Sequence, residues 1–356
     1  MSEGAPSTRD RAVFALTVAT ACIAYTVLRS VRAPAFLTDL DHLLFASREL
    51  LGGRNPYVSI GPGRAFEWPF PLYYPAPTLL LVAPLGTMPV IIARALFAGV
   101  SAGLLGYVIT RGGWARTPLF LSAAFVTAIG RNQWSPLLVT ACLVPALGFL
   151  TAAKPNIGLA TLGAQKSMRD VFIAIAGAAG LSLLSLVLRP TWPLEWLAVV
   201  RAKSDALVPA AQWIVGGPLL LLAATRWRRA EGRLVAILAI TPQSPFVYDT
   251  LPLFAVARTT REALILALAT DVAMFAQLVS GATAARDDAS NHLMAALVTL
   301  FAYAPCIVLL MRRPNVASSL GDLDTAPPGT AMDRLLWLAC GTLFAVFVFG
   351  ILTLNA

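Results

Sequence analysis

The stretch TDLDHLLFASRELLGGRNPY, from Thr38 to Tyr57, is the densest polar segment of a chain that is otherwise strongly apolar. It places five acidic and basic residues within twenty positions, directly after the first long apolar run. Thr38 is a good helix N-cap with Asp41 three residues later, and leucines then recur at helical spacing. Gly52 and Gly53 end this pattern. The stretch therefore predicts a short amphipathic helix that lies at the outer membrane surface and does not cross the membrane.

The composition of the whole chain is typical of a membrane protein. Of its 356 residues, 58% are hydrophobic and 13% are charged, whereas ordinary globular proteins carry about 25% charged residues. Apolar runs close to the roughly 20 residues that a helix needs to cross a bilayer recur at 12–31, 91–110, 136–152, 171–188, 262–280, 292–311 and 335–354. With the shorter apolar pieces between them, we predict an all-α, polytopic integral membrane protein of about ten to thirteen transmembrane helices.

The positive charges indicate how the chain sits in a membrane. The formal charge of +9 does not form one nucleic-acid-binding patch, because the basic residues cluster at segment ends, at Arg226, Arg228, Arg229 and Arg233, at Arg258 and Arg261, and at Arg312 and Arg313. Cytoplasmic loops carry such residues, and membrane lipids are their expected partners. The loop 32–75 has a net charge of zero and is expected on the outer face, whereas 312–333 is expected to be a cytoplasmic linker. We expect no nucleic acid partner.

Cysteine and histidine usage gives no sign of a metal or disulfide framework. Four cysteines are scattered singly in apolar runs and two histidines are present. Beyond the pair Asp39 and Asp41, no acidic cluster offers oxygen ligands to a cation. We expect neither a metal nor a cofactor. Trp68, Tyr73 and Tyr74, in the proline-rich end of the outer loop, are expected at headgroup depth.

Three further polar segments interrupt the apolar pattern, at 130–134, 154–156 and 241–249. The third, TPQSPFVYD, has Arg-rich segments on both sides. Flanks of like character predict two short helices with the polar turn between them, so that Asp249 faces outward or lies in a cavity. A single kinked crossing is the alternative.

Asp39 and Asp41 are the candidate catalytic residues. Asp41 stands at the third helical position, where an acid also satisfies backbone donors and the helix dipole. Asp39 follows the first crossing directly, and its helix is expected to hold it at the membrane boundary. A carboxylate fixed there accepts a proton from a hydroxyl presented near a lipid-borne leaving group. Either acid can instead serve only the first turn of the helix.

A set of short motifs carries a family resemblance. In order along the chain they are Asp39-Leu40, Ala46, Leu50-Leu51, Gly53, Asn55-Pro56-Tyr57, Tyr74-Pro75-Ala76-Pro77, Ala83-Pro84-Leu85, Ala93-Arg94-Ala95-Leu96, Gln133, Lys154-Pro155, Thr241-Pro242 and Tyr248-Asp249. In their order and spacing, roughly over residues 1–260, the sequence resembles the GT-C superfamily of polyprenyl-phosphate-sugar-dependent glycosyltransferases. Within it, the sequence looks like the bacterial GT87 (DUF2029) group of mannosyltransferase-like proteins.

The resemblance implies a GT-C-like fold, an activity and a location. Such enzymes are inverting, and an Asp in the first outer loop deprotonates the acceptor hydroxyl; Asp39 matches it by position and Asp41 is the second choice. The donor is a sugar, here mannose, on a polyprenyl phosphate. The acceptor is a glycolipid, polysaccharide or protein on the outer face of a bacterial cytoplasmic membrane. Residues 1–260 are then the catalytic module, and 261–356 supply C-terminal helices with the linker.

A transferase of this kind needs a cation beside the departing phosphate. The candidates are Arg131, Lys154, Arg48, Arg54 and Arg64. Arg131 can instead snorkel at a helix end, Lys154 can be a cytoplasmic anchor, and the loop arginines can pair with Glu49 or Glu67. Candidates for contacts with sugar or acceptor are Asn132, Gln133, Tyr248, Asp249 and Tyr74; His42 either orients Asp39 or lies on the solvated surface.

Two other function classes fit the same sequence. A transporter or lipid flippase also uses broken helices and polar turns within the membrane, although no two halves with matching hydropathy stand out. A non-catalytic membrane partner in envelope assembly is the third possibility. The sequence departs from the family pattern at 130–133, where Gly130-Arg131-Asn132-Gln133 replaces a Gly-Gln-type turn.

Overall fold

The computed structural model describes residues 6–202, 207–282, 287–324 and 331–354; part of the predicted linker 312–333 lies outside these ranges. Its α-helices are α1 (Thr8–Arg32), α2 (Asp39–Leu51), α3 (Pro56–Ser59), α4 (Ala76–Gly86), α5 (Val90–Ile109), α6 (Ala123–Gly130), α7 (Ser135–Leu143), α8 (Pro155–Gly163), α9 (Met168–Leu188), α10 (Trp192–Arg201), α11 (Ala230–Ile240), α12 (Thr260–Val279), α13 (Asp288–Met311) and α14 (Ala331–Leu354). A π-helical turn, Thr299–Tyr303, lies within α13.

The remaining regular structure is short. The 3₁₀ segments are Thr117–Leu121, Pro145–Ala153, Ala210–Gln212, Gly217–Arg226 and Val247–Val256. Strand β1 (Ile60–Gly61) pairs in parallel with β2 (Phe66–Glu67), and β3 (Val208–Pro209) pairs antiparallel with β4 (Pro242–Gln243). The described chain is therefore mostly helical, which confirms the predicted all-α class.

Within the described ranges, five helices are long and apolar enough to cross a membrane, namely α1, α5, α9, α12 and α13. This is compatible with a multi-pass membrane protein, but it is fewer than the ten to thirteen crossings predicted. The difference arises where proline divides an apolar run. The predicted run 136–152 becomes α7 and a 3₁₀ segment that starts at Pro145, because proline has no backbone N–H to donate within a helix.

Helices α1 and α5 pack closely through small side chains. A Cβ atom on Gly99 would lie 2.6 Å from Ile23 Cγ1, and one on Gly103 would lie 3.2 Å from Ala19 Cβ. Two glycines four positions apart let two helix backbones approach each other, as is common between helices in membranes. This contact brings the C-terminal half of α1 beside Arg94 of α5.

Helix α2 begins and ends where the sequence predicts, but its surroundings differ from the prediction. Gly53, with φ +73°, follows its C-cap Gly52. Nine of its 13 residues are buried, and it packs on α4 and not only on a membrane surface. The physical reason is that Asp41 finds its partner, Arg94, inside the protein. Glu49 pairs with Arg54, which remains largely exposed.

The Arg-rich segment ends meet around one buried acid, Glu231. Its Oε1 lies 2.8 Å from Arg258 Nε, 3.2 Å from Arg229 Nη2 and 3.6 Å from Arg313 Nη1. Ser318, in the described part of the predicted linker, donates to Glu231 Oε2. Since residues 229 and 258 lie at the same end, the chain between them goes out and returns. The predicted pair of short segments around 241–249 is therefore correct, and the single kinked crossing is wrong.

Candidate functional site

Asp39, the first residue of α2, is held against the end of α6. Its backbone N–H donates to the carbonyl oxygen of Arg131 at 3.1 Å, and its carboxylate accepts a hydrogen bond from Nε2 of Gln133. The side chain keeps part of its surface exposed. Asp39 is thus partly exposed as a residue, while its carboxylate lies among protein atoms.

The turn that presents Gln133 is a helix C-terminal motif. Asn132 has φ +52°, and its N–H donates to the carbonyl of Ile129 at 3.0 Å. The N–H of Gln133 donates to the carbonyl of Ala128 at 2.8 Å. This is the Schellman pattern, which needs a left-handed residue and accepts asparagine in place of glycine. The segment 130–133 therefore forms a well-defined turn without a glycine at its left-handed position.

Lys154 and Asp249 form an ion pair in the same region. Lys154 Nζ lies 2.5 Å from Asp249 Oδ1, and the two side chains are 15% and 4% exposed. Ser135 Oγ lies 3.3 Å from the same carboxylate oxygen. Lys154 stands at the N-terminus of α8, and Asp249 in the 3₁₀ segment 247–256. The structure thus gives Lys154 an internal partner, unlike the cytoplasmic anchor that was one of the two predictions for it.

Two tyrosines complete the group. The hydroxyl of Tyr74 lies 3.5 Å from Gln133 Oε1, and the ring of Tyr248 lies 5.4 Å from Lys154 Nζ and stacks on Phe246. We call the following residues the Asp39 cluster: Asp39, Tyr74, Arg131, Gln133, Lys154, Tyr248 and Asp249. These are seven of the eleven predicted site residues, and they come from five separate parts of the chain.

The electrostatics of the cluster raise the pKa of Asp39. Burial raises the pKa of Asp39 to about 6, although the positive charges of Arg131 and Lys154 and the hydrogen bond from Gln133 lower it. A general base works best when its pKa lies near the operating pH. The same two cations lie where they can stabilise negative charge that develops near Asp39.

Asp41 has different contacts from Asp39. Its two carboxylate oxygens accept from Arg94, from Nε at 2.8 Å and from Nη2 at 2.6 Å. One of them also accepts from the backbone N–H of Thr38 at 2.5 Å. Both oxygens are therefore occupied by donors in the protein interior. Asp41 fixes the start of α2 to α5 and makes the capping contact that the sequence also predicts.

The loop arginines are not in the Asp39 cluster. Arg48 Nε donates to the carbonyl of Gly86 at 2.6 Å, and so ties α2 to the end of α4. Arg54 pairs with Glu49 at 2.6 Å, as one of the two predictions had it. Arg64 is exposed on the loop between β1 and β2. The structure thus brings none of the three beside Asp39.

His42 and Trp68 are more deeply placed than the sequence predicts. His42 is buried and its ring stacks on Trp68, with 4.7 Å between ring centroids. Burial lowers the pKa of His42 to about 3. The prediction of a solvated surface histidine is wrong, because the ring of Trp68 covers His42. Trp68 is itself buried against His42, and its depth in a membrane stays a prediction.

Sequence reasoning did not single out Arg94 or Ser135 as functional residues. Arg94 had a detectable signal, since it is a lone charge inside an apolar run, where an unpaired charge is costly. Ser135 had none, because a serine at the start of a helix is ordinary.

As a whole, the Asp39 cluster places a proton acceptor beside two cations and two phenol hydroxyls. No protein-family model, no curated protein and no solved structure matches this chain.

Proposed function

We propose that this chain is an inverting glycosyltransferase in which Asp39 is the general base. The observation that carries the proposal is the environment of Asp39, a partly exposed residue whose carboxylate has a pKa of about 6 and lies close to Arg131 and Lys154. The sequence resemblance to the GT-C superfamily, in which an Asp of the first outer loop has this role, supports it independently.

In the proposed reaction, a hydroxyl oxygen of the acceptor attacks the anomeric carbon of a lipid-linked sugar. The O–H bond breaks as Asp39 takes the proton, and the bond between the anomeric carbon and the phosphate oxygen breaks with its electron pair. The products are the inverted glycoside and the polyprenyl phosphate. Only attack from the side opposite the phosphate is required, so a single carboxylate is enough for this step.

The other members of the Asp39 cluster have supporting roles in this proposal. Arg131 and Lys154 offset the negative charge that develops on the departing phosphate. Asp249 holds Lys154 in place through their ion pair. The amide of Gln133 and the hydroxyls of Tyr74 and Tyr248 are suited to hydrogen bonds with sugar or acceptor hydroxyls.

The proposed donor is mannose on a polyprenyl phosphate, and the acceptor is a glycolipid, polysaccharide or protein of the cell envelope. The apolar helices α1, α5, α9, α12 and α13 are compatible with a multi-pass location in which a lipid-borne donor enters sideways. The proposed site faces the outer side of a bacterial cytoplasmic membrane. The placement of α2 directly after the first apolar helix supports this orientation.

A transporter is the second candidate, and the ion pair between Lys154 and Asp249 favours it. Ionisable pairs within a membrane protein often mark a path for ions or substrates. In that case Asp39 and Asp249 would exchange protons or cations while Lys154 changes its partner. This candidate needs no lipid-linked sugar.

The test is sugar transfer in proteoliposomes that contain the full chain, polyprenyl phosphate mannose and bacterial membrane lipids. Asp39→Asn keeps the size of the side chain and can still accept from Gln133 through its amide oxygen, but it is no base. We expect loss of transfer by a factor of about 100 to 10,000. Glu67→Gln, in the same loop and exposed, is the matched control and should keep full activity. Proton or cation transport by the unmodified chain that Asp39→Asn abolishes, together with no sugar transfer by the unmodified chain, would support the transporter instead.

A further inference from the structure

A buried acid lies near the middle of α12, apart from the Asp39 cluster. Asp271 is the only charged residue of α12 (Thr260–Val279) beyond the first turn of that helix. It is fully buried, with 0% of its surface exposed. Helix α12 is one of the helices long and apolar enough to cross a membrane. Ionisable residues inside such helices are rare, and they usually pair with another charge or mark a functional site.

The carboxyl group of Asp271 has one hydrogen bond in the described part of the chain. Its Oδ1 accepts from the backbone N–H of Ala123, the first residue of α6, at 2.6 Å. Its Oδ2 is buried without a partner. Helix α6 already has an N-cap, because Ser122 Oγ accepts from the N–H of Phe125 at 3.1 Å. Capping of α6 therefore does not explain the acid.

No cation balances the charge that Asp271 would carry when ionised. Within the described ranges, none of the ion pairs includes it. The start of α6 offers a partial positive charge, but only the N–H of Ala123 donates to the carboxyl group. A carboxylate with one free oxygen in an apolar interior is costly, so the neutral acid is favoured.

The titratable groups on the elements packed against α12 do not change this balance. Those inside the elements are Cys340 of α14, Tyr303 and Cys306 of α13, and Tyr248 and Asp249 of the 3₁₀ segment 247–256. Those at or near helix starts are Arg261 and Glu262 of α12, Asp288 and His292 of α13, and Asp333 and Arg334 of α14. Helix α6 and the segment 117–121 contain none. Cys340 is close enough for the charge of Asp271 to act on its thiol, and this thiol is no counterion.

We infer that Asp271 is a proton-binding site inside the helix bundle, a neutral carboxylic acid that joins α12 to the start of α6. The proton is on Oδ2, and Oδ1 accepts from Ala123. A proton needs no cavity, which agrees with the full burial of this side chain. When the proton passes to water, the carboxylate left behind must be hydrated, so the contact between α12 and α6 opens. The inference does not depend on the proposed glycosyl transfer.

The contact matters because the other end of α6 reaches the Asp39 cluster. Helix α6 ends at Gly130, and the next residue, Arg131, accepts from the backbone N–H of Asp39 through its carbonyl oxygen. The eight residues of α6 rise about 12 Å, so one short helix connects the two acids. Opening at Ala123 would loosen the turn that presents Gln133 to Asp39. The proton on Asp271 thus gives α6 a pH-sensitive anchor.

Infrared spectroscopy tests for the proton, because a carboxylic acid and a carboxylate absorb at different frequencies. The background is Asp39→Asn, which removes the carboxyl group whose pKa is raised to about 6. At a pH of about 6, an ordinary aspartate with a pKa of about 3.9 is almost fully ionised. Asp39→Asn should nevertheless show a carboxylic acid band. Its absence from this protein would overturn the inference without a second substitution.

A second substitution assigns the band. Asp39→Asn/Asp271→Asn should lose it. Asp39→Asn/Asp288→Asn, which changes an exposed acid in the first turn of α13, is the matched control and should keep it. A band that persists at full intensity without the Asp271 carboxyl group would also overturn the inference.

Hydrogen exchange of α6 tests the opening of the contact. Asp271→Asn has no proton to lose, and its amide oxygen still accepts from Ala123. We expect residues 123–130 to exchange about tenfold faster in the unmodified chain than in Asp271→Asn at a pH of about 9, and equally at a pH of about 5. Comparison of the two proteins at one pH cancels the intrinsic rate, and α5 (Val90–Ile109) is the internal reference. Equal protection of α6 in both proteins at both pH values would overturn the inference.

Discussion

Lys154 Nζ lies 2.5 Å from Asp249 Oδ1, although the two residues are 95 positions apart in the chain. The pair joins the start of α8 to the 3₁₀ segment 247–256, in an interior made mainly of apolar side chains. Removing one partner from such a pair leaves a charge that is neither hydrated nor balanced. The pair therefore fixes two polar turns in one place.

We expect Asp249→Leu to lower the free energy of unfolding by about 3–5 kcal/mol. The double variant Lys154→Met/Asp249→Leu should recover most of this loss, because it removes both charges and fills the space with apolar groups. Unfolding by titration with a denaturing detergent measures both effects. Arg189→Gln, which breaks a more exposed ion pair with Glu195, is the control and should cost at most about 1 kcal/mol. A double variant as unstable as the single one would contradict this account.

The pKa of Asp39 makes stability depend on pH. Its folded-state pKa, raised by burial to about 6, lies above the usual value of 3.8, so the folded protein binds the proton more tightly than the unfolded chain does. This contribution to stability is fully present below pH 4 and is lost as the pH rises through 6. Asp39→Asn should therefore be more stable than the unmodified chain at pH 7.5, by at most about 3 kcal/mol.

Solvent screening lowers this figure, because Asp39 keeps part of its surface exposed. The measurement is the unfolding free energy of the unmodified chain and of Asp39→Asn at several pH values between about 3.5 and 8. This range spans the pKa of about 6. The two curves should converge at the acid end. A constant difference across the range would mean that Asp39 does not carry a raised pKa.

Loss of the proton from Asp39 should raise activity, whereas it lowers stability. The proposed base acts only when deprotonated, so the transfer rate should fall below pH 6 and level off above it. Gln133→Leu removes the hydrogen bond that lowers the pKa of Asp39, and it should shift the midpoint to higher pH. The pH dependence of kcat/KM for the two proteins gives the comparison. Identical midpoints would argue against Asp39 as the titrating base.

The sequence was sufficient to predict the helical class, the bounds of α2 and most of the Asp39 cluster. Local signals give these features, since Thr38 and Gly52 mark the ends of α2 and polar turns stand out in apolar surroundings. The sequence was not sufficient to predict how deeply α2 is buried in the protein. The partner of Asp41 is 53 positions away, and a pattern of hydrophobic residues along one helix carries no information on a distant arginine.

The same limit explains why the sequence did not predict the burial of His42 or the ion-pair partner of Lys154. His42 is buried because Trp68 covers it, and Lys154 is internal because Asp249 faces it. Both contacts depend on how distant segments of the chain come together in the fold. Single-sequence patterns fix local geometry and exposure only where one element decides them.

The pairing of Asp41 with Arg94 should be sensitive to geometry as well as to charge. Arg94→Lys keeps the positive charge but loses the two parallel hydrogen bonds that a guanidinium makes with a carboxylate. We expect it to lower the free energy of unfolding by about 2 kcal/mol or more. Arg48→Lys, which retains one donor for the carbonyl of Gly86, is the control and should cost less. Equal thermal unfolding of the two variants would show that the bidentate geometry contributes little.

Two glycines allow a test of packing around α9. A Cβ atom on Gly148 would lie 2.5 Å from the backbone Cα of Ala174, whereas one on Gly180 would have no heavy atom within 4 Å. Because a backbone atom cannot move aside as a side chain can, Gly148→Ala should destabilise the protein by about 1–3 kcal/mol through separation of α9 from the 3₁₀ segment 145–153. Gly180→Ala, inside α9, should instead stabilise it by up to about 1 kcal/mol, since alanine favours the helix. Thermal unfolding of the two variants is the measurement. If Gly148→Ala is as stable as the unmodified chain, α9 packs less closely on the segment 145–153 than the structure shows.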